Sequence, residues 1–499
     1  MSNLSELLPA GGGGKNVDFV ASGTLPNGQS VILNSNGTVT SVGLVSQSVS
    51  QAIPTGSETQ FATGEGPNTT IAFDPTTTGR FLIAFCDFSN NAYSSVILGT
   101  MSGTTLTFST KVVFYSAYSD AISVAFDPNR SGQFVVGYTG PSNRCYSIAG
   151  EVSGSSITFG TGVIANSTAG TTIIKVEFNP NVQDQFLIAY RDASNTEARV
   201  GTVSGTSISY GTAADIVSLS SNSLGISFDP FTANRFLVVV CDTSNSKKPY
   251  IRLGNISGTS ITFATSYEVY SNYSDFISVA FDANTENSFI TTFQNMTGSL
   301  YGYSKAGTVA SDNTITLGTL TAYHSGSTSG TIMAGNPSMV GSFVVIYKDG
   351  TSNPAGKGTY RVGTVSGTNV SYGSAIVLGS NWNALESSIA FDSNQGGKFL
   401  NSYVSAGNNK ARIGQVGGNI FVTNLTATNF IGITDAAISS GASGSVTIKG
   451  GLKSGLTGLT PNSIYYTQAD GSISTVSTAP AVRIGKALSS TTLNLEFSS

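Results

Sequence analysis

The residues able to carry chemistry are few, and most recur at a fixed spacing. An Asp follows an aromatic at Asp74, Asp127, Asp229, Asp282 and Asp392, and Asn179 and Asn336 fill the same slot in two further copies. Such a ring of acids could hold calcium, but a calcium site gathers roughly six to eight oxygens and each copy offers one carboxylate. An Asp or Asn at a strand end, beside Pro, starts a turn by accepting backbone N–H groups. That is the reading adopted, and no metal is expected. A basic series comprises Arg199, Arg252, Lys305, Arg361 and Arg412, with Ile97 and Ile148 in the same slot of the first two copies. These could ring an anionic glycan. The favoured reading is that they pair with nearby carboxylates or lay their stems over apolar surface.

A third set is aromatic and irregular. Phe114-Tyr115-Ser-Ala-Tyr118-Ser-Asp120 and Tyr267-Glu-Val-Tyr270-Ser-Asn-Tyr273-Ser-Asp275 lie between repeats, as do Tyr323-His324 and Asn381-Trp382-Asn383. Aromatic rings stack on the apolar faces of sugars, and neighbouring Asp and Asn bond hydroxyls. Tyr-rich loops also suit protein recognition. The candidate receptor-binding residues are therefore Tyr115, Tyr118, Asp120, Tyr267, Tyr270, Tyr273, Asp275, Tyr323, His324 and Trp382. The competing reading is that these rings fill gaps between repeats.

Catalysis finds little support. His324 is the single His, which leaves little room for a triad, and no Gly-x-Ser-x-Gly elbow with spaced partners is present. The Ser-x-Asp-x-Gly-x-Thr-Trp boxes of propeller sialidases are missing. A two-carboxylate glycosidase is compatible with residue count, but no pair stands out. The run Gly11–Gly14 before Lys15 is followed by Asn16 where a phosphate loop needs Ser or Thr, and no strand precedes it. Neither catalytic residues nor a cofactor are expected. Cys86, Cys145 and Cys241 read as free: Cys86 and Cys241 hold equivalent places three repeats apart, too distant for a disulfide.

The elements that position these residues follow from composition and period. Of 499 residues, 10% are charged, 39% are hydrophobic and 58 are Gly. The scarcity of Lys, Glu and Arg argues against long surface helices, and the abundance of Ser, Thr, Val and Ile argues for an all-β chain. A net charge of −4 supplies no basic field for nucleic acid. No run is long enough for a membrane span, and the opening Met1-Ser-Asn-Leu lacks the basic segment of an export signal, so synthesis in a cytoplasm is expected.

Self-similarity then organises the chain. Aromatics eight residues apart recur as Phe73/Phe81, Phe126/Phe134, Phe178/Phe186, Phe228/Phe236, Phe281/Phe289 and Phe391/Phe399, with Gly335/Phe343 a degenerate copy. Each copy has a later landmark, at Met101, Val152, Val203, Ile256, Val309, Val365 and Val416, which mostly opens a Ser-Gly turn. One unit reads as strand a, turn, strand b, hairpin, strand c, turn, strand d, long connection. Runs such as Phe186-Leu-Ile-Ala-Tyr are apolar on both faces, so both faces must be covered. Stacked blades do this, and the expected fold is an all-β, seven-bladed β-propeller of four-stranded antiparallel blades. In such a blade the a–b and c–d turns share one face, leaving the variable d–a loops on the other. The expected domains are an N-terminal attachment arm with a hairpin near Asn36-Gly37 (residues 1–41), the propeller (42–428), and a small C-terminal β-module (429–499). The stretch Val42–Ser50 is expected to supply the outer strand that closes the seventh blade.

The two ends suggest a context. Leu7-Leu-Pro-Ala-Gly-Gly-Gly-Gly-Lys with Val17-Asp-Phe-Val-Ala-Ser-Gly-Thr-Leu-Pro-Asn-Gly-Gln resembles the N-termini of structural proteins of tailed phages of marine bacteria, including the cyanophage type. Ala437-Ile-Ser-Ser-Gly-Ala-Ser-Gly, Gly455-Leu-Thr-Gly-Leu-Thr-Pro, Tyr465-Tyr466, Asp470-Gly-Ser-Ile-Ser and Arg483-Ile-Gly-Lys-Ala-Leu-Ser-Ser resemble a β-module at the ends of phage tail and fibre proteins. The resemblance covers about a fifth of the chain. It implies a virion component, a tail fibre or appendage contacting host glycan or protein, with other virion proteins as partners. Fibres of this kind are often trimers, although no heptad pattern here would enforce one. The alternative is an architectural head-decoration, neck or tail-hub protein without host binding; a glycan-degrading enzyme ranks third.

Overall fold

The computed structural model describes residues 15–49, 58–64, 66, 68–218, 221–351, 356–379, 382–426, 428–476 and 482–496. They divide into two compact units, Ser48–Ile420 and a second made of both chain ends, Met1–Gln47 with Phe421–Ser499.

The larger unit is a β-propeller of seven blades, each an antiparallel sheet in the order a-b-c-outer strand. Blade 4 shows the plan: strand a Ser221–Phe228, b Arg235–Asp242, c Lys248–Ser257, d Ser260–Phe263. In blades 2 to 6 the long connection contributes a further short strand, such as Tyr267–Glu268, which pairs with the other half of strand c. Blade 7 consists of Trp382–Phe391, Lys398–Ser405 and Asn408–Gln415, and its outer place is taken by Thr59–Thr63 from the start of the chain. The closing strand is thus not Val42–Ser50. Leu44–Val49 forms a separate two-stranded ribbon with Gly418–Thr423. Phe61 explains the choice: it is buried against Phe85 at 5.2 Å and Phe108 at 5.8 Å in blade 1.

Two repeated contacts tie the blades internally. The strand-b Phe lies over a Gly of strand c, in the pairs Phe81/Gly99, Phe134/Gly150, Phe186/Gly201, Phe236/Gly254, Phe289/Gly307, Phe343/Gly363 and Phe399/Gly414. A Cβ at Gly254 would stand 2.2 Å from the Phe236 ring, so only Gly fits. The landmark residue two places on donates its N–H to a left-handed residue of the a–b turn, as Ile256 N does to Asn234 O at 2.9 Å and Val152 N to Gly132 O at 2.8 Å. These bonds hold the a–b and c–d turns on one face, as the strand directions require.

The ends fold together. One sheet orders Asn16–Val20, Ser443–Ile448, Phe430–Thr434, Ser30–Leu33 and Val39–Ser41, so N-terminal strands flank C-terminal ones. A second sheet, containing Ile464–Thr467, Val482–Ala487 and Leu493–Leu495, packs on it through Ile32, Phe430, Ile433, Tyr465, Ile484 and Leu493. The hairpin at Asn36-Gly37 forms as expected, with Gly37 at φ 82°. The arm and the module are not separate, because each leaves strand edges that only the other pairs. Gly11–Gly14 lies outside the described residues.

Candidate functional site

The face that carries the a–b turns is spent on structure. Each blade's inner strand would leave N–H groups unpaired around the axis, and side chains of the preceding blade accept several of them. Ser123 Oγ accepts Val176 N at 3.0 Å, Glu177 Oε1 accepts Phe228 N at 3.0 Å, Ser227 Oγ accepts Phe281 N at 3.0 Å, and Ser388 Oγ accepts Ile71 N at 3.1 Å. The recurring Asp forms a second belt. Asp127 Oδ1 caps Asn129 N at 2.8 Å while Oδ2 accepts Asp184 N of the next blade at 2.8 Å. Asp282 reaches Gly341 N, and Asp392 reaches Gly79 N across the closure of the ring, both at 2.8 Å. Asp74 and Asp229 instead hold Arg80 and Arg235 of their own blades, and Arg235 continues to Asn287 in the next. All five carboxylates accept bonds within or between turns. Burial pushes Asp127 up to about 6.

The basic series also serves the ring, in part through acceptors other than carboxylates. Arg252 donates from Nη1 to Ile216 O of blade 3 at 2.5 Å and from Nε to Ala264 O at 3.1 Å, with its guanidinium 5.0 Å from the Phe263 ring centre. Arg412 likewise donates to Leu378 O of blade 6, and it lies 3.6 Å from Glu58.

The opposite face carries the b–c and d–a loops, where the candidate residues separate into two groups. Tyr323 is fully buried, stacked at 5.3 Å on Tyr347 with its hydroxyl 2.6 Å from Thr331 Oγ1; it is a packing residue and cannot contact a receptor. Tyr115 packs at 5.3 Å on Tyr138, and Tyr270 packs on Phe293 at 5.4 Å and Tyr303 at 5.6 Å. Tyr267 joins the same cluster as Tyr270. The gap-filling reading accounts for these rings: in six blades the residue four places after the strand-b Phe (Phe85, Tyr138, Tyr190, Phe293, Tyr347 or Tyr403) is aromatic and buried, and in several blades loop aromatics meet it. His324 lies 5.1 Å over Tyr347 with Nε2 3.3 Å from Asp349 Oδ1, and burial pulls it down. Asp275 is partly buried and accepts Phe276 N at 2.8 Å. The side chain of Trp382 lies outside the described set.

Three of the candidates remain accessible. Tyr118 is 42% exposed and meets Phe88, itself 48% exposed, edge to face at 6.1 Å. Asp120 is exposed close by in sequence, at the start of blade 2's inner strand. Tyr273 is half-covered, with Lys247 Nζ 4.8 Å above its ring.

A cleft of about 350 Å³ between blades 3 and 4 opens among the same loops. Asp215, Asp242, Asn245, Tyr250 and Arg252 line it. Tyr250 Oη donates to Glu268 Oε2 at 3.2 Å and accepts from Asn245 Nδ2. Asp242 Oδ1 accepts Ser244 N at 2.9 Å. This set offers an aromatic ring, two carboxylates and a guanidinium within one sugar-sized space. The d–a loops alone do not reveal it, because its polar residues also come from the end of strand b, the b–c loop and strand c. The available signal was an Asp six residues after the strand-b Phe at Asp87, Asp192, Asp242 and Asp349, each of which caps its b–c turn.

No family model matches this sequence, and no curated protein matches it. Among solved structures, the chain is similar to the BP39L lectin from Burkholderia pseudomallei, with a TM-score of 0.55 and 10% identity over 72% of this chain and all of that one. It is also similar to Sqt1 from Chaetomium thermophilum bound to the N-terminus of the ribosomal protein L10, with 12% identity over 70% of this chain and 86% of that one and a TM-score of 0.46. Sqt1 from Saccharomyces cerevisiae gives 11% identity over 74% and 100%, with a TM-score of 0.45. At such identities the lectin likeness is one of fold.

Proposed function

We propose that this protein is a non-enzymatic component of a tailed-phage virion, a fibre or related appendage that binds a host-surface glycan or protein through the b–c and d–a face of its propeller. The observation that carries the binding reading is the difference between the two faces. One has its carboxylates tied into inter-blade and turn hydrogen bonds. The other exposes the Phe88–Tyr118 pair and the cleft around Tyr250 and Arg252. The virion context rests on the resemblance of the two chain ends, and other virion proteins would be the partners of the unit they form.

The test is competition. Purified protein added to host cells should block adsorption of the phage, and Phe88→Ala with Tyr118→Ala should abolish the block while leaving the melting temperature unchanged. Immunogold label at the tail or its fibres is the expected position. Label over the head, with no competition, would replace this reading with the architectural one. Release of soluble sugar from host envelope would replace it with the enzymatic one.

A further inference from the structure

Four blades place an Asp at the end of strand b, and one of its oxygens caps the b–c turn: Asp87, Asp192, Asp242 and Asp349. In three of them a side chain from an outer strand meets the same carboxylate. Lys111 pairs with Asp87 within blade 1, Asn166 Nδ2 of blade 2 donates to Asp192 Oδ2 of blade 3 at 2.6 Å, and His324 Nε2 of blade 5 stands 3.3 Å from Asp349 of blade 6. Asn166 and His324 hold one register position. Each pairs with the strand-c residue three before the basic slot, Cys145 before Ile148 and Gly302 before Lys305. In blade 3 that position, opposite Thr196, is Val217, which has no hydrogen-bonding group to send to the next blade. Asp242 Oδ1 is held by Ser244 N and Oγ, but its Oδ2 has no partner among the described residues.

The missing cap coincides with the cleft of about 350 Å³, a size within the roughly 300–1,000 Å³ of ligand pockets. Val217 and Asp242 both line it. Arg252 is fixed there by two backbone carbonyls, Ile216 O to Nη1 and Ala264 O to Nε, and its Nη2 has no partner among the described residues. Asp215 adds a second carboxylate and Tyr250 an aromatic ring. Asp215 is exposed, and Asp242, Tyr250 and Arg252 are partly exposed, so all four are open to a ligand. A hydroxyl both donates and accepts, so adjacent hydroxyls match carboxylate acceptors set beside a guanidinium donor. An acidic sugar would meet two like charges in this cleft, and an amino sugar would meet the guanidinium.

We infer that the cleft between blades 3 and 4 binds one neutral sugar residue. One hydroxyl donates to Asp242 Oδ2, where two other interfaces supply a side chain, and Arg252 Nη2 donates to a neighbouring sugar oxygen. The site deepens the proposed function by naming its ligand class, and it rests on that reading for the choice of face. Calorimetry of the purified full-length chain tests it apart from adsorption, with the methyl glycosides of glucose, galactose, mannose and fucose as probes. At least one should bind saturably at one site, and glucuronate and glucosamine should bind at least about tenfold more weakly. Val217→Asn supplies the cap that Asn166 gives Asp192, so it should lower affinity for that glycoside about tenfold without lowering the melting temperature. Asp242→Asn keeps Oδ1 for the turn but puts a donor in place of Oδ2, and it should cost a similar factor, or about 1.4 kcal/mol. Binding by none of the four glycosides, equal binding of glucuronate or glucosamine, or unchanged affinity in both folded variants would overturn the assignment. Loss of the adsorption block in Val217→Asn without any sugar bound would show a protein ligand and overturn the sugar. Sugar binding that falls in both variants, with adsorption unaffected, would uphold the cleft and refute host recognition.

Discussion

Tyr118 and Tyr323 belong to the same kind of loop and have opposite fates, which shows what a residue's type can and cannot say. Both follow an outer strand and precede an inner one. Tyr323 is followed within eight residues by Thr331, whose hydroxyl it reaches, and it is sealed by Tyr347 from the next blade. Tyr118 meets Phe88 edge to face and stays exposed. Tyr323→Ala should therefore cost about 3–5 kcal/mol, the range for a large buried aromatic. Chemical unfolding of that variant should show a loss of this size; a loss under about 1 kcal/mol would mean the ring is not a packing residue.

At the scale of strands, the propeller answers one recurring problem, namely seven inner edges with unpaired N–H groups facing a common axis. Small residues are needed where the strands converge, and short polar side chains cap the neighbouring edge. Asp392 closes the belt across blades 7 and 1, and Asp392→Ala removes acceptors for Asn394 N, Gly79 N and Gln395 Nε2. The expected cost is about 1–3 kcal/mol, measurable by urea unfolding, and Asp392→Asn, with one acceptor oxygen where the carboxylate uses two, should recover only part of it. Glu177 gives the belt a pH dependence. Burial pushes it up to about 7 from an ordinary 4.5, so the folded chain keeps a proton that the unfolded chain releases in between. Its contribution to stability is present below about pH 4.5 and falls as pH rises towards 7. Asp127, pushed up to about 6, acts in the same direction. Glu177→Gln keeps an acceptor for Phe228 N, so it should match the native chain at pH 4 and exceed it at pH 8 by about 1–3 kcal/mol. An equal gap at both pH values would show that the carboxyl is not held neutral.

For the whole molecule, both non-local closures bring the start of the chain to its end. Thr59–Thr63 completes blade 7, and Asn16–Val20 and Ser30–Leu33 flank Ser443–Ile448 and Phe430–Thr434 in one sheet. Residues 429–499 expressed alone should consequently lack a cooperative unfolding transition, because their sheet has lost the partners on both sides. Adding a peptide of residues 15–41 should restore it. A cooperative melt of the fragment alone would contradict the co-folded unit.

The local rules were legible in the sequence because they repeat. The paired aromatics marked strands a and b, the recurring Asp marked a capped turn, and alternation placed the loops on one face. The Gly two residues before each landmark is equally visible in the chain, but its reason, a Phe ring lying over it from the neighbouring strand, is a contact. Three things were settled only by tertiary structure. Which N-terminal segment closes blade 7 depended on a fit between Phe61 and the aromatics of blade 1. Which loop tyrosines are exposed depended on whether an adjacent blade presents a ring to cover them. The cleft beside Asp242 exists because residues of neighbouring repeats, Val217 and Asp242 among them, converge on one interface. Periodicity is a property of neighbours along the chain, whereas covering, closure and convergence depend on what the rest of the ring brings to the same place.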